Sequence, residues 1–174
     1  MEKSILENLK KTKNYYDGIS EGYSKLYHNE QILKINKVID YFPERGLFLD
    51  FGSGDGVINK YLGKGIEIVS FDISFNLLEL NSNGKKICGN GMNLPFKDDS
   101  FDFVSSFTVL QDLPKPKRAV EEIFRVLKKN GLFFVSFLKM SKKYKIIKEK
   151  LLENFCKVYE YEEEKDIILV LKKD

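Results

Sequence analysis

The residues best suited to chemistry lie in Asp50-Phe51-Gly52-Ser53-Gly54-Asp55-Gly56, where three glycines alternate with larger residues and carboxylates stand beside them. Glycine lets a backbone come close to a ligand and reach dihedrals closed to residues with a Cβ. The apolar run Gly46-Leu47-Phe48-Leu49 ahead of it reads as a strand. Behind it, Val57-Ile58-Asn59-Lys60-Tyr61-Leu62 has the apolar spacing of a helix. Such a helix start would add free N–H groups and a positive dipole end. Strand, glycine turn and helix together make a nucleotide-type site.

The spacing narrows the ligand. A dinucleotide fingerprint needs glycine at the first, third and sixth positions, and the sixth position from Gly52 is Val57. A phosphate-binding P-loop needs Gly-Lys-Ser/Thr, which Asp55-Gly56-Val57 does not supply. Asp50 and Asp55 would repel a pyrophosphate. They suit a ligand with an ammonium group and ribose hydroxyls, and S-adenosylmethionine carries both without a phosphate.

The stretch from Phe48 to Gly56 resembles the first motif of the class I S-adenosylmethionine-dependent methyltransferases, and the resemblance runs from about Tyr15 to the last strand. The strand Ile66 to Phe71 ends in Asp72, some twenty residues past the loop, where a carboxylate is placed to accept two ribose hydroxyls. Capping the helix from Ser74 to Asn81 is the competing role. Gly89-Asn90-Gly91-Met92-Asn93-Leu94-Pro95-Phe96, followed by Ser100-Phe101-Asp102, is similar to a block of the ubiquinone- and menaquinone-pathway group, type 11 methyltransferases. There the resemblance implies that Asn90 accepts from the adenine amino group in place of the usual Asp, its oxygen uncharged. Met92 would pack on the adenine face or fill the core. The resemblance implies a cofactor-binding set of Asp50, Gly52, Ser53, Gly54, Gly56, Asp72, Ile73, Asn90, Gly91, Met92 and Phe107.

Other elements must position these residues. Residues 1–43 read as a helical cover, with a helix from Glu30 to Tyr41 closed by Pro43. Tyr16, Asp17 and Tyr23 match a family stretch that lies over the cofactor and helps form the acceptor pocket; sealing the core is the alternative. Residues 46–174 read as the sheet core, so residues 1–174 make a single domain. Strands are expected at Lys85 to Cys88, Phe103 to Phe107 and Leu132 to Phe137, with a helix from Pro116 to Lys129 capped by Asn130-Gly131. A lysine-rich helix from Ser141 to Asn154 and a hairpin over Lys157 to Leu171 follow. The resemblance implies a doubly wound, Rossmann-like α/β fold: seven strands, mostly parallel, an antiparallel C-terminal hairpin, and helices on both faces.

Methyl transfer from a sulfonium rests largely on proximity and orientation, so no catalytic base is assigned. Tyr16, Tyr23, His28 and Gln111 are acceptor-pocket candidates, Gln111 standing where the family usually has a His. His28, the single histidine, reads as solvated or structural before it reads as a base. The acceptor itself, a small molecule, RNA or protein, is not readable. A net charge of +3 permits RNA, with the Lys142 to Lys150 helix the candidate phosphate-contacting surface and a solvated lysine face its alternative. A catalytically silent cofactor-binding subunit that activates a partner is the alternative function. No apolar run approaches a membrane span and the acidic start is unlike a secretory signal. With Cys88 and Cys156 lacking metal-ligand spacing, two buried free thiols in a reducing cytoplasm are expected.

Overall fold

The computed structural model describes residues 2–174. Helices α1 (Glu2–Ile19) and α2 (Tyr23–Asn36) lead into a seven-stranded sheet. Its strands are β1 (Arg45–Phe51), β2 (Gly65–Asp72), β3 (Lys85–Cys88), β4 (Phe101–Phe107), β5 (Leu127–Leu138), β6 (Cys156–Glu162) and β7 (Asp166–Lys172). Three further helices are α3 (Phe75–Leu80), α4 (Pro116–Val126) and α5 (Tyr144–Asn154). The spatial order is β3-β2-β1-β4-β5-β7-β6. Pairings from β3 through β5 are parallel, and β7 runs antiparallel to both β5 and β6. The winding reverses between β1 and β4, and open sheets of this kind bind ligands at the strand carboxyl ends beside such a reversal.

Period-two alternation sorts the apolar residues onto the two faces. Leu49, Phe133, Val135, Phe137, Ile167, Leu169 and Leu171 join Ala119, Val120, Ile123, Ile147 and Leu151 of α4 and α5 on one side. Phe48, Phe134, Ile168 and Val170 point the other way, onto Ile35 and Val38. Every one of these side chains is buried.

Four local expectations need correction. The helix after the glycine turn is a single 3-10 turn, Val57–Lys60. Two glycines follow within five residues, at Gly63 and Gly65, and the chain re-enters the sheet at Gly65. The expected helix from Glu30 to Tyr41 is instead the end of α2 and a 3-10 turn, Ile39–Tyr41. Helix α4 stops at Val126, and Leu127 enters β5 directly. Asn130, at φ 65°, sits in a bulge that separates the pairs Phe101–Leu127 and Phe103–Leu132. Cys88 and Cys156 are both exposed, because β3 and β6 are the two edges of the sheet. Among the described residues no helix is long and apolar enough to cross a membrane.

The cover helices dock through unusually polar contacts. Helix α2 buries Gln31, Lys34 and Ile35 and no other residue. The Lys34 ammonium, 1% exposed, donates to Glu30 at 2.6 Å and to the Thr108 hydroxyl at 2.7 Å, and lies 3.2 Å from Asp166. Lys34→Met should cost about 3–5 kcal/mol, because it leaves Asp166 buried without its cation. Adding Asp166→Leu should restore most of that loss, as read by urea unfolding of both variants. A single variant as stable as the parent would show that Lys34 does not hold α2 to the sheet.

Candidate functional site

Strand β1 carries its last residues into the interior, and Asp50 falls opposite Ser105 of β4. The Ser105 hydroxyl donates to Asp50 at 2.7 Å. Burial pushes the Asp50 carboxyl up to about 7, helped by the Asp72 and Asp55 charges and opposed by the Ser105 bond. The chain then turns through Gly52, Gly54 and Gly56, all at positive φ. Gly52 must lack a Cβ for a second reason, since one would lie 2.3 Å from Val109. The connection after β4 therefore closes directly onto the glycine turn.

The turn spends four of its N–H groups on the protein itself. Gly52 and Ser53 donate to the Phe71 carbonyl, Gly54 to Asp72 at 2.9 Å, and Gly56 to the Ser53 carbonyl. With only a 3-10 turn behind it, this loop does not offer the free N–H groups expected at a helix start. It is a shaped backbone corner and not an anion cradle.

Asp72 ends β2 with its other oxygen accepting from Ser74 N at 2.8 Å. Burial raises its pKa, and the backbone bonds from Ser74 and Gly54 oppose the rise. The N-cap of α3 is Ser74, whose hydroxyl oxygen accepts from Leu77 N, so the capping role does not fall to Asp72.

These elements enclose a cavity of about 470 Å³ at the carboxyl ends of β1, β2 and β4. Of the residues named from sequence, Gly52, Asp72, Ile73, Gly91, Phe107, Tyr16, Tyr23 and Gln111 line it. Asp50, Ser53, Gly54, Gly56, Asn90 and Met92 do not line it, and Gly56 lines a second cavity instead. Asn90 turns its oxygen back to Met92 N at 3.0 Å, and Met92 is 4% exposed, within the core. His28 faces away from this cavity. It lies 2.7 Å from Asp55, which also accepts from Ser24, and it lines that second cavity with Asn59 and Asn81.

The cover supplies wall residues that the sequence reading passed over. Leu9 and Thr12 share helical spacing on α1 with the expected Tyr16, and Tyr27 and Gln31 follow the expected Tyr23 at four-residue intervals on α2. That periodicity was the available signal. Tyr16 donates to Asp112 at 2.7 Å. Burial, and then the Asp112 charge, drives the Tyr16 phenol far above its ordinary range, and burial raises Tyr23 likewise, so both stay neutral. Asp112 is itself raised by burial. Asp17 is not on the wall; it accepts from the Ser74 hydroxyl at 2.6 Å and ties α1 to α3.

The lysine-rich helix gives a poorer phosphate surface than its composition suggests. Lys148 pairs with Glu160 at 2.9 Å, Lys150 with Glu121 at 3.0 Å, and Lys143 spends its ammonium on the carbonyls of Gln111 and Leu113.

Residues 49–135 match the family described as "Methyltransferase domain". The chain is 33% identical to the Methanocaldococcus jannaschii protein MJ1252 over 84% of its own length and 59% of that protein. It is 31% identical to the ubiquinone/menaquinone biosynthesis C-methyltransferase UbiE of Rickettsia typhi, over 83% of this chain and 60% of that one. The chain thus spans about three-fifths of the length of these two relatives. The fold is similar to a chain of a complex containing the Haloferax volcanii Trm112 methyltransferase activator. There the TM-score is 0.77 at 16% identity, covering 91% of this chain and 97% of that one.

Asp50 yields a stability prediction. In the unfolded chain its carboxyl ionises near ~3.9, while the folded protein holds the proton up to about 7. Folding is therefore penalised increasingly as pH climbs through that window, and not below it. Asp50→Asn, which can still accept from Ser105, should melt above the parent at pH 8 by about 1–3 kcal/mol, and the difference should close near pH 4. Equal stability at pH 8 would contradict the burial cost assigned to this carboxylate.

Proposed function

The chain belongs to the class I S-adenosylmethionine-dependent methyltransferase family, and from that premise we propose that it transfers the methyl group of S-adenosylmethionine to an acceptor held in the same cavity. The observation that carries the reading is Asp72: a carboxylate at the end of β2, on the wall of the cavity beside the reversal of strand order. The chemistry of the wall suits the cofactor. Glu30, Asp72 and Asp112 line it, and among the described residues no lysine or arginine does. That set favours a cationic ligand without phosphate and disfavours a dinucleotide. A volume of about 470 Å³ lies within the usual range for ligand sites.

Bound there, S-adenosylmethionine would supply a methyl group already activated by its sulfonium. Asp72 would accept from the ribose hydroxyls. Gly52, Ile73, Gly91 and Phe107 would form the walls on the sheet side, and Asp50, next to Gly52 and protonated up to about 7, would ionise more readily once the ligand's ammonium group came near. Tyr16, Tyr23 and Gln111 would orient the acceptor and exclude water, and orientation supplies much of the rate in a displacement of this type. The reading treats residues 1–174 as one working unit.

A second reading keeps cofactor binding but requires a partner protein for turnover. The complex of a similar chain with a methyltransferase activator supports it. Labelled cofactor, incubated with the purified chain and a cell extract fractionated into RNA, protein and small molecules, separates the readings. Label transfer needing no added partner supports the first.

Asp72→Ala should weaken cofactor binding roughly 10- to 1,000-fold, from loss of charge-assisted bonds worth about 1.5–3 kcal/mol each. The variant also loses the anchors of Gly54 N and Ser74 N, so the decisive measurement is a cycle. Titration calorimetry with S-adenosylhomocysteine and its 2′,3′-dideoxy analogue should show the parent preferring the diol and the variant indifferent. A parent that binds both equally would remove the ribose role from Asp72.

A further inference from the structure

We infer that the rim of the cavity docks the phosphate backbone of single-stranded RNA and that the tyrosines of the cover receive its bases. The docking surface stands on its own residues, while the role of a base as methyl acceptor rests on the methyltransferase reading. Two segments carry the surface. Residues 113–118, leading into α4, hold three basic side chains, residues 139–148, leading into α5, hold five, and neither segment holds an acid. The first begins at Leu113 and the second directly follows Leu138, and both of those residues line the cavity. The basic run therefore starts where the cavity wall ends.

The fold brings the two segments together. Lys143 donates to the Gln111 and Leu113 carbonyls at 2.9 and 2.7 Å, and further along α5 Lys150 meets Glu121 of α4 at 3.0 Å. Helices α4 and α5 thus lie side by side and start at the same end of the sheet. Part of the charge is used within the protein: Lys139 and Lys148 pair with Glu162 and Glu160 of β6, and Arg118 donates to the Met92 carbonyl. Lys115, Lys117, Lys142 and Lys145 are exposed, and among the described residues none of them has an ion pair. Four unshared ammonium groups on adjoining segments make a surface for a polyanion.

Beside this rim the cover presents an unbroken row of rings. Ring centres are 5.2 Å apart for Tyr15 and Tyr16, 6.3 Å for Tyr16 and Tyr23, and 5.0 Å for Tyr23 and Tyr27. All four line the cavity, and Tyr15, 54% exposed, carries the row out to solvent. Tyr16 joins the two features, because its hydroxyl donates to Asp112 in the turn just before the first basic segment. A single strand satisfies both at once, with phosphates for the lysines and planar bases free to stack on tyrosine. Unpaired bases are what RNA loops and ends offer, whereas duplex DNA keeps its bases inside the stack. An acidic peptide would pair with the lysines but bring only carboxylates to a cavity that already holds Glu30 and Asp112.

The test is fluorescence anisotropy of an end-labelled, unstructured RNA of about 20 nucleotides with the full chain, at salt from about 50 to 200 mM. The log–log slope of affinity against salt should be about −3, from roughly 0.7 for each of four phosphate contacts. Lys115→Gln combined with Lys142→Gln should flatten it by about 1.4. Lys85→Gln combined with Lys86→Gln, at the start of β3 and so at the opposite end of the sheet, should leave it unchanged. Tyr15→Ala should weaken binding roughly 5- to 150-fold, and Tyr15→Phe, which keeps the ring, should not. Absence of RNA binding at the lowest salt would overturn the inference, as would a slope indifferent to Lys115 and Lys142. Unchanged affinity in Tyr15→Ala would overturn it too, and so would a polyglutamate of equal length that binds as tightly as the RNA. Titration with S-adenosylhomocysteine keeps the two readings apart. RNA binding by a chain that does not bind this compound supports the docking surface and removes the methyltransferase reading, and the reverse result removes the docking surface alone.

Discussion

A fully buried ammonium joins three parts of this molecule that are far apart in sequence. Lys34 belongs to α2, Thr108 ends the run of β4, and Asp166 begins β7. An unpaired ammonium at that depth would cost several kcal/mol, so the ion fixes where α2 can sit. Thr108 is held at φ 61°, a conformation that a β-branched residue rarely accepts. Its hydroxyl receives the Lys34 bond, and its carbonyl receives the amide of Gln111. The position of the cover and the orientation of the cavity wall are thus set by the same contact.

The glycine turn is constrained by packing as much as by any ligand. Beyond the Val109 contact at Gly52, a Cβ on Gly56 would lie 2.4 Å from Asn81, and one on Gly54 would lie 3.1 Å from Tyr23. These three neighbours come from the β4 connection, the end of α3 and the cover. Because the Gly52, Ser53, Gly54 and Gly56 N–H groups are already used within the protein, the remaining electrostatic character of the turn comes mainly from the carboxyl groups of Asp55 and Asp72. A turn of this kind favours positive charge nearby, whereas a helix N-terminus with free N–H groups favours phosphate.

The sheet was legible because its signals are local. Alternation in Phe133 to Phe137 and Ile167 to Leu171 set two buried faces, and Ser74 was recognisable as a cap. The short 3-10 turn after the glycines was not, since Val57 and Ile58 satisfy a helical pattern over too few residues to distinguish one turn from three. The exposure of both cysteines depended on strand order, which places β3 and β6 at the edges. His28 was readable as a solvated or structural residue before a base, but its partner was not, since Asp55 is separated from it by the whole first strand. The lysines of α5 illustrate a further limit. Their composition is visible, but Glu121, Glu160 and Glu162, which pair with Lys148 and Lys150, come from α4 and β6.

The cover is fastened mainly by polar ties: Tyr16 to Asp112, Asp17 to Ser74, Ser24 and His28 to Asp55, and Lys34 to Thr108 and Asp166. Apolar support is thin, with Leu9 the buried apolar residue of α1 and Ile35 that of α2. Most of these polar groups would regain water if the helices lifted, so each tie contributes only about 0.5–1.5 kcal/mol net. The Lys34 end differs, because its partner Asp166 is buried in the body of the protein. The cost of lifting therefore rises along α2 from its N-terminal turns toward Lys34 and Ile35. Physics of this kind favours opening at the tyrosine-bearing turns while the C-terminal end of α2 stays in place. The cavity can then admit a ligand between the tyrosines without dismantling the contact that orients Gln111.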